Sequence, residues 1–373
     1  MKIGINALFL IPGKVGGSET YLRSLVAALA ALDRDNEYVL YTNREAAGSF
    51  GDLPFREVRC PLHASNRVAR LAYEQAVMPV HAARDRLDVL HSPGYTGPLA
   101  LPCANVVSIL DLNYHFHPED WSTAGLWANR LLIPRVARRA TRIVTISECS
   151  RRAIVDVLGV PDAKLSVSLL GVDGNLVAPA PADEVRAQLG LDRPYLFTVT
   201  ASHPHKNVDG LFRAYELACR DWRDPPSLVV VGIRGRHQER LEAIVRGWTG
   251  GGRIVFPGYV DAPTLAALYH QAHAFVFASK YEGFGIPVLE AMAAGVPVVS
   301  SNRASLPEVC GDAASLVDPD DLPAFARELR RVWDDAALRS RLIARGHERV
   351  KQFTWRRTAE ATLDAYTRAY QSS

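Results

Sequence analysis

Residues Ser279 to Val299 read SKYEGFGIPVLEAMAAGVPVV. The stretch opens where an apolar run closes, near Ala278, so a buried strand ends there. A glycine-bearing turn, Glu282 to Ile286, comes next. Pro287 fits the first position of a helix, where its missing N–H costs nothing. Val288 to Ala294 reads as helix, Gly295 suits the helix end, and a new strand opens at Pro297. The backbone amides near Phe284, Gly285 and Ile286 should face out of the helix N-terminus, an end that attracts anions and phosphate above all. The glycines let a ligand come close to the backbone. Glu282 precedes the turn and Glu290 falls in the first helical turn, with the seven residues 283–289 between them. Two carboxylates beside a phosphate-attracting helix end would repel phosphate unless they hold something else. Sugar hydroxyls, as O–H donors, suit them.

Outward from this stretch the same rhythm repeats. Short apolar strands at Ile3–Leu8, Tyr38–Thr42, Val89–Ser92, Asn105–Leu110 and Arg142–Ile146 alternate with helical stretches such as Glu19–Leu32. That is the βαβ pattern of a parallel sheet covered on both faces. The pattern restarts with a strand at Lys164–Leu170 that runs into Gly171-Val172-Asp173. Ala178–Asp183, with Pro179 and Pro181, reads as a linker. Strands follow at Tyr195–Thr200, Ser227–Val231, Arg253–Phe256, Ala274–Phe277 and Pro297–Ser300. The expected fold is α/β: two doubly wound halves without an evident sequence repeat, facing each other across a cleft that holds the chemistry.

Bulk composition agrees. A chain of 373 residues is long for one core and suits two domains. With 48% hydrophobic and 22% charged residues it is neither disordered nor membrane-spanning. A net charge of +3 gives no reason to expect nucleic acid as a partner. Cys60, Cys103, Cys149, Cys219 and Cys310 form no CxxC pair and read as free thiols of a reducing compartment, so a cytoplasmic location is expected. The opening MKIGINALFLIPG is too short in its apolar run for a signal peptide and reads as a first strand.

With these residues in view, the stretch resembles the E-x7-E motif of glycosyltransferase family 4, retaining enzymes of the two-domain GT-B type. Other segments in chain order are similar to the family too. They are the Gly16-Gly17 loop, Thr145 to Ser150, Gly171-Val172-Asp173, His205-Lys206-Asn207 and Pro307-Glu308-Val309. The resemblance implies an acceptor-binding domain over residues 1–172 and a nucleotide-sugar-binding domain over 173–354. It implies a C-terminal helix, 355–373, packing back on the first domain. It also implies that Glu282 contacts the transferred sugar, Glu290 the nucleotide ribose and Lys206 the donor diphosphate. Gly16, Gly17, Phe284, Gly285 and Ile286 would lie near the donor. Glu282 and Lys206 are thus the expected catalytic pair. No cofactor and no metal are implied.

Two positions depart from the family pattern. Where an arginine often stands, five or six residues before Lys206, this chain has Ala201 and Thr200, leaving His203 or His205 as substitutes. Where a His-Asp pair is common, it has Leu110-Asp111, with His115 and His117 close behind. Asp111, His115 and His117 are therefore candidate sugar or acceptor contacts. The tripeptide Asp33-Arg34-Asp35 reads as a helix stop, and Gly232-Ile233-Arg234-Gly235 lacks the third glycine of a dinucleotide fingerprint. Arg130, Arg135, Arg138, Arg139, Arg142, Arg151 and Arg152, beside Trp121, Trp127 and Leu131, suit peripheral contact with an anionic membrane surface. The expected reaction moves a sugar, mannose from GDP-mannose by overall likeness, to a glycan or lipid-linked acceptor in surface polysaccharide synthesis. A sugar-nucleotide epimerase and a non-catalytic partner protein are the rival readings.

Overall fold

The computed structural model describes residues 1–172, 179–233 and 238–373. Asp173, Ala178 and the Arg234-Gly235 half of the glycine segment, each named above, lie outside the described residues. The chain divides into two compact units. One contains Met1–His115, Ser122–Gly171 and Trp355–Ser373; the other contains Phe116–Trp121 and Val172–Thr354. The short segment Phe116–Trp121, expected with the first half, thus clusters with the second.

The first unit is built on a parallel sheet of β1 (Lys2–Asn6), β2 (Glu37–Thr42), β3 (Arg56–Arg59), β4 (Val89–Ser92), β5 (Ala104–Ser108), β6 (Arg142–Thr145) and β7 (Leu165–Val167). Their order across the sheet is β3-β2-β1-β4-β5-β6-β7. The second unit holds a parallel sheet of β8 (Tyr195–Ala201), β9 (Ser227–Ile233), β10 (Ile254–Gly258), β11 (Ala274–Phe277), β12 (Val298–Ser301) and β13 (Ala314–Val317). Its order is β10-β9-β8-β11-β12-β13. The same winding recurs: the chain moves outward from a central strand, then returns to that strand's other side. Both sheets are therefore doubly wound α/β sheets, as expected, with their reversals at β1/β4 and β8/β11. Ligands of such sheets sit beyond the carboxyl ends of the strands at the reversal.

Central strands are apolar without interruption because helices cover both faces. Leu228, Val229 and Val230 of β9 and Phe275 and Val276 of β11 are completely buried. Two edge strands were not legible in the sequence. β3 is REVR, charged at its ends and only half-buried in the middle, and β13 is partly exposed throughout. The strand expected at Lys164–Leu170 is shorter, Leu165–Val167, and closes the first sheet by pairing with β6 instead of opening the second. The helix expected at Glu19–Leu32 begins two residues earlier, at Gly17.

The C-terminal helix Trp355–Gln371 belongs to the first unit. Ser168 Oγ donates to the Thr358 carbonyl at 3.0 Å, and Thr358 Oγ1 donates to the Leu169 carbonyl at 2.7 Å. Deeper in, the Tyr366 hydroxyl lies 2.7 Å from Nδ1 of His91 on β4, whose Nε2 lies 2.7 Å from Ser108 Oγ on β5. Ser108 Oγ in turn meets the Tyr21 hydroxyl at 2.8 Å. All four residues are fully buried.

Burial lowers the pKa of His91 from its ordinary 6.5 to about 3, so the ring is neutral in the folded chain. Between those values the unfolded chain binds a proton that the folded chain does not. The contribution to stability is complete above pH 6.5 and is lost as pH falls toward 3, by at most about 1.4 kcal/mol per pH unit. The melting temperature should therefore drop more steeply from pH 6.5 to 4.5 in the wild type than in His91→Asn. The variant should be less stable at pH 8 but flatter below it. Parallel pH profiles would contradict a buried neutral imidazole.

Candidate functional site

At the β8/β11 reversal the loops after both strands meet. β8 ends at Ala201 and leads into a short 3₁₀ turn, Pro204–Lys206. β11 ends at Phe277 and leads into Ser279–Glu282. The two loops are sewn together through backbone groups. The Lys280 amide donates to the His205 carbonyl at 2.8 Å, and Asn207 Nδ2 donates to the Ala278 carbonyl at 3.1 Å. Asn207 adopts a left-handed backbone, φ 54°, which turns the chain into the helix Val208–Cys219.

This stitching puts Lys206 onto Glu282. Lys206 Nζ lies 2.7 Å from Oε1 and 2.8 Å from Oε2 of Glu282. Both side chains are mostly covered, with 20% and 11% exposed. Ser279 Oγ donates to Glu282 Oε1 at 2.6 Å. The buried Ser305 hydroxyl lies 2.8 Å from the carbonyls of both Glu282 and Phe284, pinning the turn between them. The ammonium also neutralises the first carboxylate, which removes half of the repulsion that two acids would offer an arriving phosphate.

The helix that follows is Ile286–Ala293. Its N-cap is Gly285, at φ 112°, a conformation L side chains rarely take; a Cβ there would also lie 2.7 Å from Leu306 Cδ2. Pro287 stands at the helix start, and Gly295, at φ 74°, just past the end. Glu290 occurs one residue later than expected, at the start of the second turn. The Tyr269 hydroxyl donates to its Oε2 at 2.8 Å. Tyr269 is itself completely buried, its ring edge-on to Phe197 at 5.0 Å, so the ribose candidate stands on a rigid post. The Phe284 side chain is 2% exposed and packs edge-on against Phe353 at 5.7 Å. Only its backbone is available to a ligand.

The remaining candidates divide between the units. Gly16 caps the helix Gly17–Leu32 at φ 57°, with open space where a Cβ would stand. Gly16, Gly17, Asp111 and His115 all belong to the first unit. There Asp111 Oδ1 accepts from the Asn113 amide at 3.0 Å, and His115 is exposed. His117 belongs to the second unit. Its ring centre lies 5.5 Å from that of Tyr281 and 5.7 Å from that of His205. His205 Nδ1 is hydrogen-bonded to the Asp120 carboxylate, and both side chains are nearly buried. Asp33 serves as a local stop, accepting from the Asp35 amide and the Asn36 side chain. Among the described residues no group of three or more His, Cys, Asp or Glu is placed to hold a metal ion.

Sequence reasoning missed Tyr269, Ser279, Ser305, Tyr281 and Asp120. Tyr269 alone left a usable trace: a polar-tipped ring on the apolar face of the helix Ala262–Gln271 needs a buried partner. The others meet their partners across gaps that periodicity does not encode.

Known proteins agree with this architecture. Residues 16–171 match the glycosyl transferase 4-like domain, and residues 181–349 match glycosyl transferases group 1. The chain is 31% identical over 368 residues to the O-antigen chain mannosyltransferase B of Escherichia coli, covering 94% of this chain and 95% of that one. It is 34% identical over 257 residues to a D-inositol 3-phosphate glycosyltransferase of Kineococcus radiotolerans, covering 64% and 59%. Among solved structures, sucrose-phosphate synthase from Thermosynechococcus elongatus superposes with a TM-score of 0.79 at 21% identity over the full length of both chains. Anabaena Alr3699/HepE in complex with UDP and glucose does so at 0.75 and 18% identity, covering 98% and 99%. Two sheets wound alike, the two matching domains and a relative aligned over nearly its whole length lead to one conclusion: this chain is an enzyme of the family 4-like GT-B glycosyltransferases.

Proposed function

We propose that the enzyme transfers mannose from GDP-mannose, with retention at the anomeric carbon and without a metal, to a hydroxyl of a glycan or lipid-linked glycan of a surface polysaccharide. The observation that carries this reading is the meeting of Lys206, Glu282 and the N-terminus of the helix Ile286–Ala293 at the β8/β11 reversal. The mannose part rests on the likeness to the O-antigen mannosyltransferase.

Each group has a role in this proposal. Lys206 and the backbone amides of residues 284–286 hold the diphosphate and stabilise the charge it gains on leaving. The phosphate competes with Glu282 for Lys206, so donor binding loosens that ion pair and turns the carboxylate toward the sugar hydroxyls. Glu290, braced by Tyr269, accepts from the ribose hydroxyls. The bond between C1 and the diphosphate oxygen breaks with oxocarbenium character at C1. The acceptor oxygen bonds to C1 from the same face and passes its proton to the departing phosphate oxygen. The products are a nucleoside diphosphate and an extended glycan.

A variant series tests this, with transfer assayed in EDTA. Wild type should keep its full rate there; abolition with rescue by manganese or magnesium would contradict a metal-free site. Lys206→Ala should weaken nucleotide diphosphate binding by about tenfold to a hundredfold, the loss of one charge-assisted contact. Glu290→Gln should act on nucleotide affinity as well. Glu282→Gln should lower kcat by about tenfold or more while nucleotide affinity holds or tightens, because Lys206 is released to the phosphate. Unchanged calorimetric affinity in both Lys206→Ala and Glu290→Gln would overturn the donor site. Turnover of donor without any acceptor would instead favour an epimerase.

The reading places the reaction at the cytoplasmic face of a membrane. No helix among the described residues is long and apolar enough to cross one. The helix Thr123–Arg139, however, exposes Trp127 (65%) and Leu131 (53%) one turn apart, with Arg130, Arg135, Arg138 and Arg139 on the same helix. An apolar pair set among arginines suits an anionic interface. The enzyme should sediment with phosphatidylglycerol vesicles, less at high salt and less as Trp127→Ala. Equal sedimentation with neutral phosphatidylcholine vesicles would contradict this surface.

A further inference from the structure

Around Tyr281, the residue before Glu282, the second unit carries a group of rings that the donor reading does not use. Phe116 is 44% exposed, and its ring centre lies 5.3 Å from that of Tyr281, tilted by 33°. His117 stands 5.5 Å from the same tyrosine. Beside the rings opens a cavity of about 270 Å³ lined by His117, Glu119, His203, Asn207, Asp209 and Lys280. The segment that supplies Phe116 and His117 is fastened in place: Asp120 binds His205, and His117 Nδ1 lies 3.0 Å from Glu119 Oε1. Tyr281 and Lys280 directly precede Glu282, and His205 directly precedes Lys206.

An exposed phenyl ring, packed on Tyr281 and next in sequence to a residue that lines a polar cavity, matches one kind of ligand well. A pyranose ring offers an apolar C–H face to lie on a ring and a circle of hydroxyls that both donate and accept. The polar lining, with Glu119 and Asp209 as acceptors and Lys280 as a donor, suits those hydroxyls. The volume falls below the ~300–1,000 Å³ of a site for a whole small molecule, which suits one sugar unit of a longer chain. The donor's diphosphate, ribose and transferred sugar, in the reading above, lie with Lys206, the helix amides, Glu290 and the Glu282 carboxylate. A further pyranose beside them belongs to the acceptor.

The geometry points to Phe116, His117 and Tyr281, with the cavity beside them, as the subsite that binds one sugar unit of the acceptor glycan. This rests on the donor reading, and the test separates the two. Octyl glycosides of mannose, glucose, galactose and N-acetylglucosamine serve as acceptor probes, by saturation-transfer NMR and by steady-state transfer. At least one should bind wild type with its ring C–H protons saturated and shifted upfield. Phe116→Ala should raise that probe's KM by about tenfold, with the donor KM within about twofold and the melting temperature unchanged. Phe116→Tyr, which keeps an aromatic face, should restore binding and the upfield shift. No saturation of any glycoside in wild type, an unaltered acceptor KM in Phe116→Ala, or an equal loss of donor affinity would overturn the subsite. Lys206→Ala and Glu290→Gln run in parallel: if both leave nucleotide affinity intact, the donor reading fails, while the glycoside result still stands or falls by Phe116.

Discussion

The ion pair between Lys206 and Glu282 depends on one constraint, the pairing of β8 with β11. These strands are far apart in sequence, and they become neighbours only because the second sheet reverses direction there. Their ends carry the two charges to within 2.7 Å. Around that contact Asn207 and Ser305 hold loop backbone in place, and Ser279 holds the Glu282 carboxylate. A buried or half-buried ion pair is weak evidence of a stabilising role. Here the pair is mostly covered but keeps an exposed edge, and in the proposed function each partner has a second ligand, which is the arrangement of a site and not of a core.

The supporting shell explains how a carboxylate can sit beside a phosphate site. Glu282 is compensated by Lys206, and Glu290 is oriented by a phenol that burial keeps protonated, its pKa raised well above the usual tyrosine range. Orientation in advance matters because catalysis gains only from contacts already in place when charge develops. Glycine contributes at Gly285, where only a residue without a side chain both takes the backbone angle and clears Leu306.

Much of this was legible in the sequence for physical reasons. Buried central strands announce themselves as apolar runs, and the strand, glycine turn, helix and strand of residues 274–301 are set by proline and glycine at positions where few other residues serve. The edges were not legible. β3 has too few apolar residues to stand out, and β7 looks the same whether it closes one sheet or opens the next. Glu282 and Glu290 could be singled out by spacing, but the partners that hold them could not. Tyr269 and Ser305 reach them across 21 and 23 residues of chain, and Lys206, singled out by resemblance alone, across 76. The histidines show the same limit. His115 and His117 were indistinguishable as residues of one loop, yet they fall in different units, and only His117 joins the rings beside Glu282.

In the proposed function, the second sheet's reversal, and not the first's, receives the nucleotide diphosphate. A crystal structure of the enzyme with a bound GDP-sugar tests it most directly. The account predicts phosphate oxygens within hydrogen-bond distance of Lys206 Nζ and of the amides of residues 284–286, with Glu290 on the ribose. A diphosphate seated instead beyond β1 and β4, with Lys206 still closed on Glu282, would contradict it.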